Sequence, residues 1–273
     1  MIRLALRVRR EEAEIVLAQL LELAPRGVEE VDLDDGLVEY AVYGAPGELP
    51  DMPDVQAAVG GALVDVVTTE VSDDWADRWR AFHRPVVIAD RLYVRPPWEE
   101  PRSGLVDLIV DPGQAFGTGA HPTTRLCLEL LCALEPPAQP EPAVDLGCGS
   151  GVLAIAAAKL GWGPVLGVDH ERESVRATLD NAQVNGVSVE ARRFDLLRDG
   201  PAPSAPLALA NLLRPLLLAV ARAGFDGEPP RTLIASGLLV HEADEVAEAF
   251  AAHGLRESDR RADGDWAALL LSR

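Results

Sequence analysis

Ala143-Val144-Asp145-Leu146-Gly147-Cys148-Gly149-Ser150-Gly151 is the stretch that decides how this chain is read. A short apolar run closes on an acid, and glycines follow at alternate positions. Val152 to Leu160 then reads as a helix rich in Ala, Leu and Ile. Strand, glycine turn and helix in that order build a ligand pocket at the carboxyl edge of a parallel sheet. Glycines there let the backbone approach a bound molecule more closely than any side chain would permit. The spacing also separates ligands. A dinucleotide fingerprint needs a third glycine three residues after the second, and Val152 stands in that place.

The spacing Asp-x-Gly-x-Gly-x-Gly looks like the S-adenosylmethionine version of the turn; an ordinary tight strand-to-helix turn is the alternative. Downstream, Val165 to Asp169 reads as the second strand of the sheet and ends in an acid. An acid about 20 residues beyond the glycine turn accepts hydrogen bonds from the ribose hydroxyls of an adenosine. Glu171 to Asn185 reads as a helix closed by Gly186. Val187 to Phe194 is a third strand, and Asp195 ends it, either reading an adenine amino group or serving as a turn acid. Pro206 to Ala210 is a fourth strand with Asn211 at its end, followed by a helix over Leu212 to Ala223. Thr232 to Ala235 is a fifth strand, Ser236-Gly237 a turn, His241 to His253 a helix and Trp266 to Leu271 a last apolar strand. This alternation demands a parallel sheet covered on both faces. Gly147, Asp169, Asp195 and Asn211 then share its carboxyl edge, and Gly149 belongs to the same candidate cofactor set.

Upstream, Val106 to Val110 is a strand, broken by Asp111-Pro112-Gly113. The loop from Gln114 to Thr124 carries two glycines, a histidine, a phenylalanine and adjacent threonines, more recognition chemistry than a connector needs. Helix follows from Thr124 to Leu134, and a bland reading of the loop puts a helix cap at Thr123. His121 by spacing alone would be structural.

The N-terminal part has its own logic. Ile2 to Val8 alternates like a half-buried strand, and Glu11 to Leu23 places Ile15, Val16, Leu20 and Leu23 at helical spacing. Gly27 to Leu33 and Leu37 to Val42 flank the turn signal Asp34-Asp35-Gly36. Asp54 to Gly60 is a candidate second helix and Leu63 to Thr69 a β-branched strand. That order makes a ferredoxin-like α+β module. The expected domains are residues 1–66, a helical linker over 67–83 carrying Trp75 and Trp79, and a doubly wound α/β domain over 84–273.

A formal net charge of −19 without a basic patch argues against gripping nucleic acid and favours a basic protein or a small substrate. Cys127, Cys132 and Cys148 suit neither a zinc site nor a disulfide framework and read as buried hydrophobes in a reducing compartment. No metal is expected. Met1-Ile2-Arg3-Leu4 lacks a signal peptide's apolar region and no run approaches a membrane span, so a cytoplasmic monomer is expected.

Phe116-Gly117-Thr118-Gly119-x-His121-Pro122-Thr123-Thr124, Asp145 to Gly151, Val168-Asp169, Asn181-Ala-x-x-Asn185-Gly186, Ala210-Asn211-Leu-Leu and Ser236-Gly237 together resemble the ribosomal protein L11 methyltransferase (PrmA) family. The loop at 116–124 is the specific part, since many methyltransferases share the glycine turn. The resemblance is dense over residues 72–273 and rests on layout before that. It implies a seven-stranded class I methyltransferase domain, Rossmann-like, behind a ferredoxin-like domain that recognises a ribosomal protein. It implies methylation of lysine side-chain and N-terminal amines. By matching position, Thr124, Gly147, Asp169 and Asn211 would contact S-adenosylmethionine, Thr123 would stand beside them, and Phe116 and His121 would line the transfer site. Leu212-Leu213-Arg214-Pro215 departs from the small residues many members carry there. An amine acceptor needs orienting oxygens more than a dedicated base, and Asn211 is the candidate bridge between cofactor and amine. Methylation of a base nitrogen, a protein glutamine or a small molecule, and a binding protein that has lost its chemistry, are the competing readings.

Overall fold

The structure is a computed structural model describing residues 2–13, 16, 17, 20, 28–33, 36–44, 49, 63–70, 84–111 and 119–273. The chain divides into two compact units, Met1–Phe82 and His83–Arg273.

In the first unit, strands β1 (Ile2–Arg9), β2 (Glu29–Asp32), β3 (Leu37–Gly44) and β4 (Leu63–Glu70) form an antiparallel sheet in the order β2-β3-β1-β4. That antiparallel order is the one the ferredoxin-like reading requires. Leu4, Leu6 and Val8 of β1 and Tyr40 of β3 pack with Ala13, Val16 and Leu20, all three in helical conformation. On the other face Glu39 receives Arg3 at 2.6 Å and Arg7 at 2.8 Å. The Arg3 hydrogen bond leads in holding the Glu39 carboxyl below its ordinary range. β4 runs to Glu70, into the stretch expected as linker. The expected second helix and Trp75 and Trp79 lie outside the described residues.

The second unit opens with a small sheet of β5 (Val86–Ile88), β6 (Leu92–Arg95) and β7 (Val106–Ile109), β6 and β7 running parallel. Helix α1 (Pro122–Ala133) follows, then β8 (Ala143–Leu146), α2 (Val152–Lys159), β9 (Val165–Asp169), α3 (Arg172–Val184) and β10 (Val189–Arg193). The short pieces β11 (Ala202–Pro203) and β13 (Phe225–Asp226) pair with each other outside the main sheet. β12 (Leu207–Asn211), α4 (Arg214–Ala223), β14 (Thr232–Leu239), α5 (Ala243–Ala251), β15 (Arg256–Asp263) and β16 (Trp266–Ser272) complete the unit.

The main sheet has seven strands in the order β10-β9-β8-β12-β14-β16-β15. The first five are parallel, and β16 enters antiparallel between β14 and β15. Chain direction across the sheet reverses between β8 and β12, so the crevice at their carboxyl ends is the topological switch point. Both faces are covered, and residues alternate accordingly. Leu207, Leu209 and Ile234 join the core with α1 and α2, whereas Ala208, Ala210 and Leu233 join the core with α4 and α5.

Three readings need correction. Ser236-Gly237 is not a turn that ends a strand: β14 continues to Leu239 through a bulge, its register on β16 shifting between Ser236 and Leu238. Gly237, at φ +83°, takes the left-handed conformation that accommodates the extra residue. Helix α1 starts at Pro122, and His121 rather than Thr123 is its N-cap. Proline suits the first helical position because its missing N–H would be unsatisfied there in any case. Finally, β15 escaped the pattern reading altogether. Its residues are mostly exposed and charged, since an edge strand shows no apolar alternation to detect.

Candidate active site

The glycine turn is fixed by backbone bonds before any ligand is considered. The Gly147 and Cys148 N–H groups both donate to the Val168 carbonyl, at 2.8 and 3.0 Å, tying the turn to the end of β9. The Gly149 N–H donates to Asp169 Oδ2 at 3.0 Å, and the Glu171 N–H donates to Asp169 Oδ1 at 3.0 Å. Oδ2 keeps further lone-pair capacity for a sugar hydroxyl, while Oδ1 also has His170 Nδ1 at 3.3 Å. Gly147 has φ +76°, and a Cβ there would lie 2.4 Å from Leu212 Cδ2, so the chain past β12 presses directly on the turn.

Beneath the turn lies Asp145, 1% exposed. Its Oδ2 accepts from the Ala154 N–H at 3.1 Å, whereas Oδ1 has no hydrogen-bond partner among the described residues. Burial pushes this carboxyl up to about 7. Cys127 and Cys148 are buried, and burial raises both thiols; Cys132 is half-buried rather than sealed.

Asn211 and Thr124 meet across the switch point. Asn211 Nδ2 donates to Thr124 Oγ1 at 3.2 Å. Asn211 Oδ1 is buried and has no hydrogen-bond partner among the described residues. The side chain is thus held by its nitrogen and left with an acceptor to offer. A buried acceptor without a donor costs about 1–3 kcal/mol, so a site that keeps one is suited to a ligand carrying an N–H or O–H. Next to it, Thr123 turns the other way: its Oγ1 lies 2.8 Å from His121 Nδ1, and its N–H donates to that nitrogen at 3.4 Å. The His121 ring meets Trp266 edge-on, centroids 5.1 Å apart. Burial pushes the His121 pKa below its ordinary value, which keeps the ring neutral near pH 7.

Gly147, Gly149, Asp169, Thr124 and Asn211 are therefore assembled at one sheet edge, with Thr123 and His121 at the head of α1. Asp195 is engaged in its own turn: Oδ1 accepts from the Leu197 N–H at 2.9 Å, and Arg198 lies 3.6 Å from Oδ2. Phe116 lies outside the described residues. Trp266 was read from sequence only as part of an apolar strand. Nothing in a period-2 pattern reveals that its ring meets a histidine far upstream. No group of three or more His, Cys, Asp or Glu among the described residues could hold a metal ion, and no described helix is long and apolar enough to cross a membrane.

An adenosine with a cationic sulfonium fits this donor set. Asp169 offers acceptors for sugar hydroxyls, the glycine turn offers close backbone, and Asn211 offers an amide oxygen with no hydrogen-bond partner among the described residues.

Comparison with known proteins agrees. The family model described as ribosomal protein L11 methyltransferase (PrmA) matches residues 52–273. A ribosomal protein L11 methyltransferase of Burkholderia ambifaria is 34% identical over 275 residues, the match covering 91% of this chain and 90% of that protein. One from Heliobacterium modesticaldum is 39% identical over 207 residues, covering 74% of this chain and 64% of that protein. The crystal structure of a ribosomal protein L11 methylase from Lactobacillus delbrueckii subsp. bulgaricus aligns with a TM-score of 0.59 at 29% identity, over 69% of this chain and 98% of that one.

Proposed function

The chain belongs to the ribosomal protein L11 methyltransferase (PrmA) family, and we propose that it methylates lysine side-chain and N-terminal amines of ribosomal protein L11. S-adenosylmethionine, when bound, supplies an electrophilic methyl group on a sulfonium. Asp169 and the Gly147–Gly149 turn would hold its adenosine part, and Thr124 would hold Asn211 beside the reacting end.

The observation that carries the reading is the buried Oδ1 of Asn211 at the switch point, without a hydrogen-bond partner among the described residues. An amine attacks only when neutral, and a lysine amine in water has a pKa of ~10.4. Desolvation in a crevice that receives a cation favours the neutral form. Once neutral, the amine needs its lone pair aimed at the methyl carbon, with the reacting atoms ~3–3.5 Å apart. In this reading Asn211 Oδ1 would accept an amine N–H and fix that aim. As the bond forms, positive charge grows on nitrogen, and the same amide oxygen stabilises it. The neutral His121 ring adds no competing cation. A base is not required, because the proton is lost to water before or after docking.

Residues 1–82 serve, in this reading, to present the ribosomal protein, whose basic surface would meet an acidic chain of net charge −19. The enzyme would act as a cytoplasmic monomer with no direct grip on nucleic acid or membrane. The test is transfer of label from S-adenosylmethionine to purified ribosomal protein L11, with tRNA and DNA as parallel acceptors. Labelled lysine and α-amine in the protein are expected; label only in nucleic acid would overturn the reading.

A further inference from the structure

Asn181 on α3 and Asn185 at its C-cap stand four residues apart, and the reading above uses neither. Four residues of helix rise ~6.0 Å, and two residues of strand span ~6.6 Å, so side chains at this spacing can address alternate residues of a neighbouring strand. They do. The Ile109 N–H donates to Asn185 Oδ1 at 2.9 Å, and Asn185 Nδ2 donates back to the Ile109 carbonyl at 2.6 Å. The Asp111 N–H donates to Asn181 Oδ1 at 3.1 Å. The opposite edge of this strand is taken by β6, where the Val110 N–H donates to the Arg95 carbonyl at 2.9 Å. The amides of α3 thus act as the missing neighbour along the outer edge of β7.

Asn181 does something more. Its Nδ2 donates to the Ser150 carbonyl at 2.9 Å, inside the glycine turn. The residue is 4% exposed, so both ends of its amide are committed in a dry setting where geometry is tightly held. One side chain joins the turn assigned to the methyl donor with Asp111, which leads in sequence to Phe116 and His121. Among the described residues the Asn185 amide is hydrogen-bonded to the strand and its own helix alone. Among the described residues the Thr178 hydroxyl is bonded to the turn alone, its Oγ1 donating to the Gly149 carbonyl at 3.1 Å and lying 3.2 Å from Cys148 Sγ.

We propose that Asn181 is a positioning residue for methyl transfer: its one amide sets the separation between the turn that holds the donor and the strand end that leads to the acceptor loop. The proposal rests on the methyl-transfer reading above. It makes a specific division of effects. The turn keeps its bonds to Val168, Asp169 and Thr178 when Asn181 is lost, so cofactor affinity persists. The strand end loses its tie to the turn, and a misplacement of about 1 Å between reacting groups lowers transfer by about 100-fold.

The full-length chain carrying Asn181→Leu, Asn185→Leu or Thr178→Val tests this with three measurements. These are S-adenosylhomocysteine binding by calorimetry, amide hydrogen exchange at Ile109 and Asp111, and single-turnover transfer to ribosomal protein L11. Asn181→Leu is expected to bind S-adenosylhomocysteine within about threefold of the parent, to lose protection at Asp111 but not Ile109, and to transfer about 30- to 100-fold more slowly. Asn185→Leu should expose Ile109 and slow transfer by less than about tenfold, and Thr178→Val should change cofactor affinity more than rate. If the leucine variant does not fold, Asn181→Asp takes its place, keeping the acceptor for Asp111 and removing the donor to Ser150; the same split of rate from affinity is expected. Transfer by the Asn181 variant within threefold of the parent overturns the proposal. So does a loss of affinity that matches the loss of rate, because that is general damage to the turn. A parent that labels no ribosomal protein overturns the methyl-transfer reading itself, whatever the exchange pattern.

Discussion

Asn211 Nδ2 donates to Thr124 Oγ1 at 3.2 Å, joining the end of β12 to the first turn of α1. Thr124 is fully buried, so this contact is the local fixture that orients the amide. Thr124→Val keeps the shape and removes the acceptor. A buried amide nitrogen left unpaired costs about 1–3 kcal/mol, and the amide is then free to turn over. The variant should melt earlier and transfer methyl groups at least about tenfold more slowly, with a smaller change in cofactor affinity. Asn211→Ala should be slower still. Single-turnover rates at saturating S-adenosylmethionine check both, and full transfer by Asn211→Ala would remove the residue from the mechanism.

Asp169 is held by the Gly149 and Glu171 N–H groups before any ligand arrives. Its charge is therefore preorganised for the sugar hydroxyls, and hydrogen bonds to a charged group contribute about 1.5–3 kcal/mol each. Asp169→Ala should weaken S-adenosylhomocysteine binding by at least about 100-fold. Isothermal titration of the variant reads this directly. An unchanged Kd would show that the adenosine sits elsewhere.

How much of this was legible in the sequence follows from what each element buries. The parallel core announced itself because β8, β9 and β12 are covered on both faces and read as apolar runs ending in ligand-type residues. Asp169 and Asn211 could be located at the ends of their strands for the same reason, although their partners could not. β15 was missed because an exposed edge strand is written in charges. The bulge at Gly237 was read as a turn because a glycine after a serine signals both, and only pairing with β16 distinguishes them. The Asn181–Ser150 and His121–Trp266 contacts join residues remote in sequence, and nothing in the local pattern of either partner encodes the other.

Leu212 is packed against two glycines, and the two contacts differ in kind. A Cβ on Gly147 would meet only the tip of the Leu212 side chain, which can turn aside. A Cβ on Gly237 would meet Leu212 backbone atoms at 2.5, 2.7 and 2.9 Å, at φ +83°. The left-handed conformation alone costs a residue with a side chain ~1–2 kcal/mol, and the backbone contact adds to it. Gly237→Ala should therefore destabilise the chain by roughly 3 kcal/mol or more, and by more than Gly147→Ala. Denaturant melts of the two variants settle the order; equal losses would contradict it.

Asp145 gives the pH dependence of stability a definite sign. Its folded pKa is raised by burial to about 7, above the usual carboxylate range of ~3.9 in an unfolded chain. Between those values the folded state holds the proton and the unfolded state does not, so this residue makes stability fall as pH rises from about 4 to about 7 and has no further effect above. Asp145→Asn removes the titration while keeping an oxygen for the Ala154 N–H. The variant should gain on the parent across that window by roughly a few kcal/mol, in urea melts at matched ionic strength. A constant difference between variant and parent from pH 4 to 8 would mean that Asp145 is ionised in the fold.

The two compact units allow donor and acceptor recognition to be separated by deletion. Every residue assigned to the cofactor lies in His83–Arg273, which has its own doubly covered sheet and its own cores. The preceding unit has a separate core built on Leu4, Leu6 and Tyr40. A chain lacking residues 1–82 should therefore fold and bind S-adenosylhomocysteine with a Kd within about threefold of the parent. Its methylation of ribosomal protein L11 should collapse, because a long-range contact with the substrate is lost and an amine arriving from solution replaces one held in place. The effective concentration lost with such a tether is in the millimolar range, so raising the substrate should restore transfer only partly. Methylation at the parental kcat/KM would assign substrate recognition to the methyltransferase unit alone. In that case the acidic first unit would need another use.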